Sequence, residues 1–190
     1  MIAGIDYGSK MAGTTVIAFE QNNKVVLIGS KKNQDADQMI LDFVDQYRPL
    51  LIGLDAPLSL PGVYLNPDDY DDYFYRACDK EVRAMSPMFL GGLTARAMKL
   101  KSIIGERSKV VEVYPGMIAK HLELKAFSYK QKEADYSQMI SKLSPWINSN
   151  DLKLSSSHQF DAVLALYIAK RYSSNSMNRV GEENEGFIYY

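Results

Sequence analysis

The chain has little that titrates near neutrality or oxidises: two histidines, His121 and His158, and one cysteine, Cys78. A lone cysteine excludes an internal disulfide framework and a cysteine-rich zinc site. With no histidine near it in sequence, Cys78 is expected to be a small core residue rather than a reactive thiol. Charge of one sign is also missing. The formal net charge is −1, so no global basic field advertises nucleic-acid binding, and a polyanion would have to be gripped by a local patch. No apolar run is long enough for a transmembrane helix. The start, Met1 to Asp6, has no basic n-region and meets an acid too early for a signal peptide, so the expected location is the cytoplasm, with no membrane partner. There is no Gly-x-Ser-x-Gly elbow, P-loop or Rossmann fingerprint. There is no internal repeat and no low-complexity linker. A length of 190 residues, 46% apolar and 24% charged, fits one domain over 1–190 with a helical insertion at about 60–105.

Two short apolar runs each end in an aspartate: Ile2-Ala-Gly-Ile-Asp6 and Leu50-Leu-Ile-Gly-Leu-Asp55. They read almost as copies. Continuous apolar runs closed by turn residues (Gly8-Ser9 and Pro57) suit strands buried on both faces of a parallel sheet. Neighbouring strands lie about 4.8 Å apart, so adjacent placement brings two carboxylates to one sheet edge. Like charges that close push one proton back on unless a cation sits between them. A divalent-metal site is the first reading.

Around these runs the pattern gives strands over 13–19 and 25–28, joined by the polar turn Gln21-Asn-Asn-Lys24, so residues 1–30 form a meander. Residues 35–47 form an amphipathic helix, with Met39, Ile40, Phe43, Val44 and Tyr47 on one face and Pro49 after it. Residues 56–93 are irregular, broken by Pro57, Pro61, Pro67 and Pro87, with a helix expected over 73–85. A second helix is expected over 95–104 and a fifth strand over 110–114. Two further helices are expected near 117–124 and 132–144. A strong helix over 157–172 follows, with Ser156 and Gln159 in a capping-box pattern, and residues 186–190 form a short edge strand. This succession implies an α/β mixed sheet of order 3-2-1-4-5, strand 2 antiparallel, with helices on both faces. That order is similar to the ribonuclease-H-like superfold, which also underlies the actin, Hsp70 and sugar-kinase ATPases. Fold alone does not choose between nuclease and ATPase.

The helix over 157–172 supplies a third acid. At about 100° per residue, His158, Asp161 and Ala165 share a strip flanked by Ala162 and Ala169. Small residues let a helix approach a sheet closely, carrying Asp161 and His158 toward its edge. The bland alternative is an acid in a helix's first turns, favoured by the macrodipole alone. Glu112, inside the apolar strand 110–114, needs a partner: a metal, a catalytic water, or an ion pair to Arg83 or Arg96. Candidate phosphate contacts are Arg76 and Arg83, which recur at helical spacing, and Arg96 and Lys99, which lie three apart on the next helix. For each of these four, a solvated face with ion pairs is an equal alternative. The acidic stretch Asp68 to Asp72 lacks calcium-loop spacing and is expected to lie away from an anionic substrate.

Several pieces in order resemble the family known as domain of unknown function 429, grouped with predicted nucleases of the ribonuclease-H-like superfamily. They are Gly4-Ile-Asp6, Ile52-Gly-Leu-Asp55-Ala-Pro57-Leu-Ser59, Arg76-Ala-Cys78-Asp79 with Arg83, Glu112-Val-Tyr-Pro115, His158-Gln-Phe-Asp161-Ala162 and Gly181-Glu-Glu-Asn-Glu-Gly186. The resemblance implies a ribonuclease-H-like core and a metal-dependent nuclease in which Asp6, Asp55 and Asp161 bind Mg²⁺ or Mn²⁺, with Glu112 and His158 around them. Phosphodiester hydrolysis of a nucleic-acid substrate of unspecified type is the working expectation, with His158 as a candidate proton shuttle. A homodimer is left open. Two alternatives stand beside it. One is an ATP-dependent phosphotransferase, since Asp6-Tyr-Gly-Ser-Lys10 resembles the phosphate-contacting hairpin of the actin-like class. The other is a non-catalytic binding module on the same fold.

Overall fold

The computed structural model describes residues 1–148 and 150–190. β1 (Ile2–Asp6), β2 (Val16–Gln21) and β3 (Lys24–Gly29) form an antiparallel meander. Its tight turn rests on Asn22 and Asn23, both left-handed at φ 51° and 60°, the geometry a two-residue hairpin demands and asparagine tolerates. α1 (Ala36–Tyr47) begins at Asp35, whose carboxylate accepts from the Asp37 and Gln38 amides, and ends at left-handed Arg48 just before Pro49. β4 (Leu51–Asp55) returns parallel to β1, and β5 (Lys109–Val113) lies parallel beyond it.

The sheet continues past the expected order 3-2-1-4-5 and its short edge strand over 186–190. β6 (Arg179–Glu182) and β7 (Gly186–Tyr189) are a hairpin, giving the order β3-β2-β1-β4-β5-β7-β6. The tail strand is therefore internal, parallel to β5, and β6 forms the edge. A pattern of four residues cannot tell an edge strand from an inner one, because pairing is decided by what docks beside it.

Period-2 alternation divides the side chains between two cores. Ala3, Ile5, Ile17, Phe19, Ile52 and Leu54 pack with α1 and with α4 (Gly92–Ile104), through residues such as Ile40, Phe43, Ala97 and Leu100. Val16, Ala18, Leu51, Val111 and Val113 face α5 (Pro115–His121), α6 (Tyr136–Ser141) and α7 (Ser157–Ser173) on the other side. α7 is buried continuously from Phe160 to Ala169, because the sheet covers its small-residue strip and α5 and α6 cover the large one.

The stretch expected as a helical insertion divides in two. α4 is the crossover from β4 to β5 and belongs to the core. Residues 56–91 are mostly irregular, with only α2 (Ala77–Val82) and α3 (Pro87–Leu90) as short α-helices. The longer helix expected over 73–85 fails at both ends. Asp72 accepts from the Phe74 and Tyr75 amides and turns the chain, and left-handed Arg83 (φ 58°) stops α2. Cys78 is a core residue, its thiol pushed up to about 12 chiefly by burial. Among the described residues, no helix is long and apolar enough to cross a membrane.

Candidate functional site

The near-copied runs end level with each other. β1 and β4 pair in register, Gly4 with Gly53 and Asp6 with Asp55, so adjacent carboxylates leave the sheet at one edge and on one face. The glycines two residues earlier explain how α7 reaches that face. A Cβ on Gly4 would stand 1.9 Å from the Leu166 nitrogen, and one on Gly53 would stand 2.9 Å from the Ala165 carbonyl oxygen. The helix backbone rests directly on the two glycines. From there the strands advance about 6.6 Å in two residues to their aspartates. The helix runs back about 6 Å in four residues to Asp161. Asp161 thus arrives level with Asp6 and Asp55. One residue short of a further turn, His158 places Nδ1 2.8 Å from Asp6 Oδ2. The capping hydroxyl of Ser156 accepts from the Gln159 amide and fixes where this turn begins.

The acids bear on one another. Burial, then the charge of Asp161, raises Asp6 to about 6 against the pull of His158. Burial, then Asp6 and Asp161, pushes Asp55 well above the usual carboxylate range. Asp161, whose side chain is 6% exposed, is gripped at both oxygens: the Tyr129 hydroxyl donates to Oδ1 at 2.6 Å, and Lys130 Nζ lies 3.1 Å from Oδ2. The sequence pattern does not mark Tyr129 or Lys130. They lie in an irregular loop that gives no periodic signal, and only the fold carries them to Asp161. Asp6, Asp55 and Lys130 line one cleft of about 300 Å³, which Glu112 and Asp79 also border, with Met85, Leu90 and Leu93 among its apolar lining.

Three partly uncompensated carboxylates at one edge suit a hard dication in kind and charge. In this arrangement, however, no three His, Cys, Asp or Glu side chains among the described residues are grouped to hold an ion. Asp6 is turned to His158, and Asp161 to Tyr129 and Lys130. The donor set fits a metal; the orientation seen here is that of the protein's own partners.

Glu112, expected beside the triad, does not join it. It pairs in register with Leu54, one residue before Asp55, and therefore points to the opposite sheet face. There the wholly buried Arg76 clamps it, Nη1 to Oε2 at 2.8 Å and Nη2 to Oε1 at 2.6 Å, and the Leu58 amide donates to Oε2 at 2.8 Å. Burial pushes the Glu112 carboxyl up and the guanidinium pulls it back; two short charge-assisted bonds keep it ionised. Its ion-pair partner is thus Arg76, in place of Arg83 or Arg96.

Arg76, expected at the substrate, is also interior. With no exposure it cannot reach a substrate; it binds Asp79 through Nε and Nη2, and Ser59 Oγ through Nη1. Glu185 ties the same region down, accepting from the Gly62 and Ala77 amides at 2.7 and 2.6 Å and, through its carbonyl, from Ser59 Oγ. The pieces around Ser59, Arg76, Asp79, Glu112 and Glu185 are one buried polar network.

Arg96 is also engaged. It forms a bidentate pair with Asp37 (3.0 and 2.6 Å), donates to the Gly8 carbonyl and lies 4.8 Å over the Tyr7 ring, whose hydroxyl also donates to Asp37. Arg83 and Lys99 are exposed. The hairpin after Asp6 spends its donors internally, Gly8 N on Thr15 Oγ1 and Lys10 on Asp35, so it offers little to a nucleotide phosphate.

A mixed sheet opening 3-2-1-4-5, with aligned aspartates at its carboxyl edge and a third on the helix across it, defines an α/β protein of the ribonuclease-H-like class. The chain belongs to the DUF429 family, described as "Protein of unknown function (DUF429)", which it matches over residues 90–186. Among solved structures it is similar to the Thermus thermophilus RuvC structure, at 15% identity and a TM-score of 0.46, over 92% of this chain and 96% of that one. No curated protein matches it in sequence.

Proposed function

We propose that this protein is a metal-dependent nuclease, hydrolysing phosphodiester bonds in the cleft lined by Asp6 and Asp55, with Asp161 beside them. The observation that carries the reading is the in-register alignment of Asp6 with Asp55 beneath Asp161, which leaves negative charge that the surrounding protein only partly offsets. Structural acids are normally paired off, and surplus buried charge marks a site that expects a cation or a reaction. The three aspartates would hold Mg²⁺ or Mn²⁺. When bound, the ion supplies positive charge for a water nucleophile and for phosphate oxygens.

The chain's own residues do the rest. Asp6 orients His158 through Nδ1. The imidazole side chain is 48% exposed, so its second nitrogen is open to exchange a proton with water or with the leaving oxygen. Tyr129 fixes Asp161 by donating to Oδ1; burial and the neighbouring acid keep its phenol protonated. Arg83 and Lys99 are the exposed candidates for phosphate contact. DNA and RNA, single-stranded, duplex and branched, should be tested with Mg²⁺ and with Mn²⁺. Metal-dependent cleavage of at least one substrate is expected, abolished in Asp6→Ala and reduced about 10²–10⁴-fold in His158→Ala. Unchanged turnover in Asp6→Ala overturns the assignment.

A further inference from the structure

Lys130 is a permanent cation beside the acids, and nothing in the proposed chemistry uses it. Its ammonium lies 3.1 Å from Asp161 Oδ2 and is also drawn by Asp55 and Asp6. Asp161 is nearly buried at 6% exposure, whereas the Lys130 side chain is 55% exposed. The lysine therefore reaches in from solvent and can withdraw to it. Its neighbour behaves oppositely. Tyr129 stacks edge-on against Phe160 of α7, ring centroids 5.9 Å apart, and holds Asp161 by the other oxygen. One residue anchors the carboxylate and the next covers it.

We propose that Lys130 is a built-in counter-cation for the acid cluster, and that a divalent ion binds by displacing its ammonium from Asp161 Oδ2. The inference rests on the metal-centre reading above and adds how that centre is kept when empty. One ammonium offsets one of three carboxylates, so the empty cleft stays foldable without being neutral. A monovalent ion gains little by displacing a charge equal to its own. A dication gains a net charge at the same oxygens, and because Asp161 stays anchored by Tyr129, loading requires only that an exposed lysine swing away.

The test is a calorimetric Mn²⁺ titration of the wild type, Lys130→Gln, Lys130→Arg and Asp6→Asn, joined to thermal unfolding in EDTA and in saturating Mn²⁺. Removing a unit charge beside the ligands should tighten Mn²⁺ binding in Lys130→Gln by about tenfold or more, with Lys130→Arg close to the wild type. In EDTA, Lys130→Gln should melt about 2–4 °C lower, and in saturating Mn²⁺ that deficit should vanish. A merely structural lysine would leave the deficit the same in both. Equal or weaker Mn²⁺ binding in Lys130→Gln, with binding still lost in Asp6→Asn, overturns the counter-cation and leaves the metal centre standing. No Mn²⁺ binding in either the wild type or Lys130→Gln overturns both.

Discussion

Two groups of buried acids lie within this molecule, one on each face of the sheet near its carboxyl edge, and they are built on opposite terms. Around Arg76, each carboxylate has its match: Glu112 is held by two guanidinium nitrogens and an amide, Asp79 by Arg76, and Glu185 by two amides. Around Asp6, three aspartates share a histidine, a tyrosine hydroxyl and an exposed lysine. Burial alone does not separate the two groups, since both are buried and both are charged. Each group sets three acids against one permanent cation, Arg76 or Lys130, so what separates them is whether the protein itself balances each carboxylate with hydrogen-bond donors.

Three measurements would break or sharpen that contrast. The largest effect is expected on the balanced side. Arg76→Met strands Glu112 and Asp79 in a dry interior, and should cost about 3–5 kcal/mol in denaturant unfolding. A loss under 1 kcal/mol would mean the network is not what holds residues 56–91 to the sheet.

On the unbalanced side the sign reverses. Asp6 is raised from 3.8 to about 6 by burial and by Asp161. The folded state thus holds this proton more tightly than the unfolded chain does. Its contribution is fully present below about 4 and is lost as pH rises through about 6. At pH 7 without metal, Asp6→Asn should therefore stabilise the protein by about 1–3 kcal/mol, while abolishing Mn²⁺ binding. Destabilisation at pH 7 would place Asp6 among the balanced acids.

The smallest expected effect is on metal affinity. A ligand must shed its proton to bind, so Mn²⁺ affinity should fall about tenfold per pH unit below 6 for each proton displaced, and level off above 7. Titration at pH 5, 6 and 7 reads this directly, and a flat profile would exclude Asp6 from the ligand set.

Much of this was legible before any folding was considered. The twin runs ending in Asp6 and Asp55 announced neighbouring strands, and the small strip of α7 announced a close approach that Gly4 and Gly53 then permit. Glu112 shows where reading along one strand falls short. Its misfit in an apolar run was plain, but which face it took depended on register against β4, and its partner came from Arg76, 36 residues earlier. Lys130 was illegible for a related reason: a loop residue with no periodicity acquires meaning only from what lies across the gap.

The amino-acid order by itself determined the succession of the first five strands, the glycine-then-aspartate spacing and the helix that carries Asp161, because these follow from local steric preference and from the two periods of side-chain placement. Only the tertiary structure decided which acids are satisfied and which are left in surplus. Electrostatic partnership depends on distance in space, and the chain brings Tyr129, Lys130 and Asp161 together, and Arg76 with Glu112, only after its cores have packed.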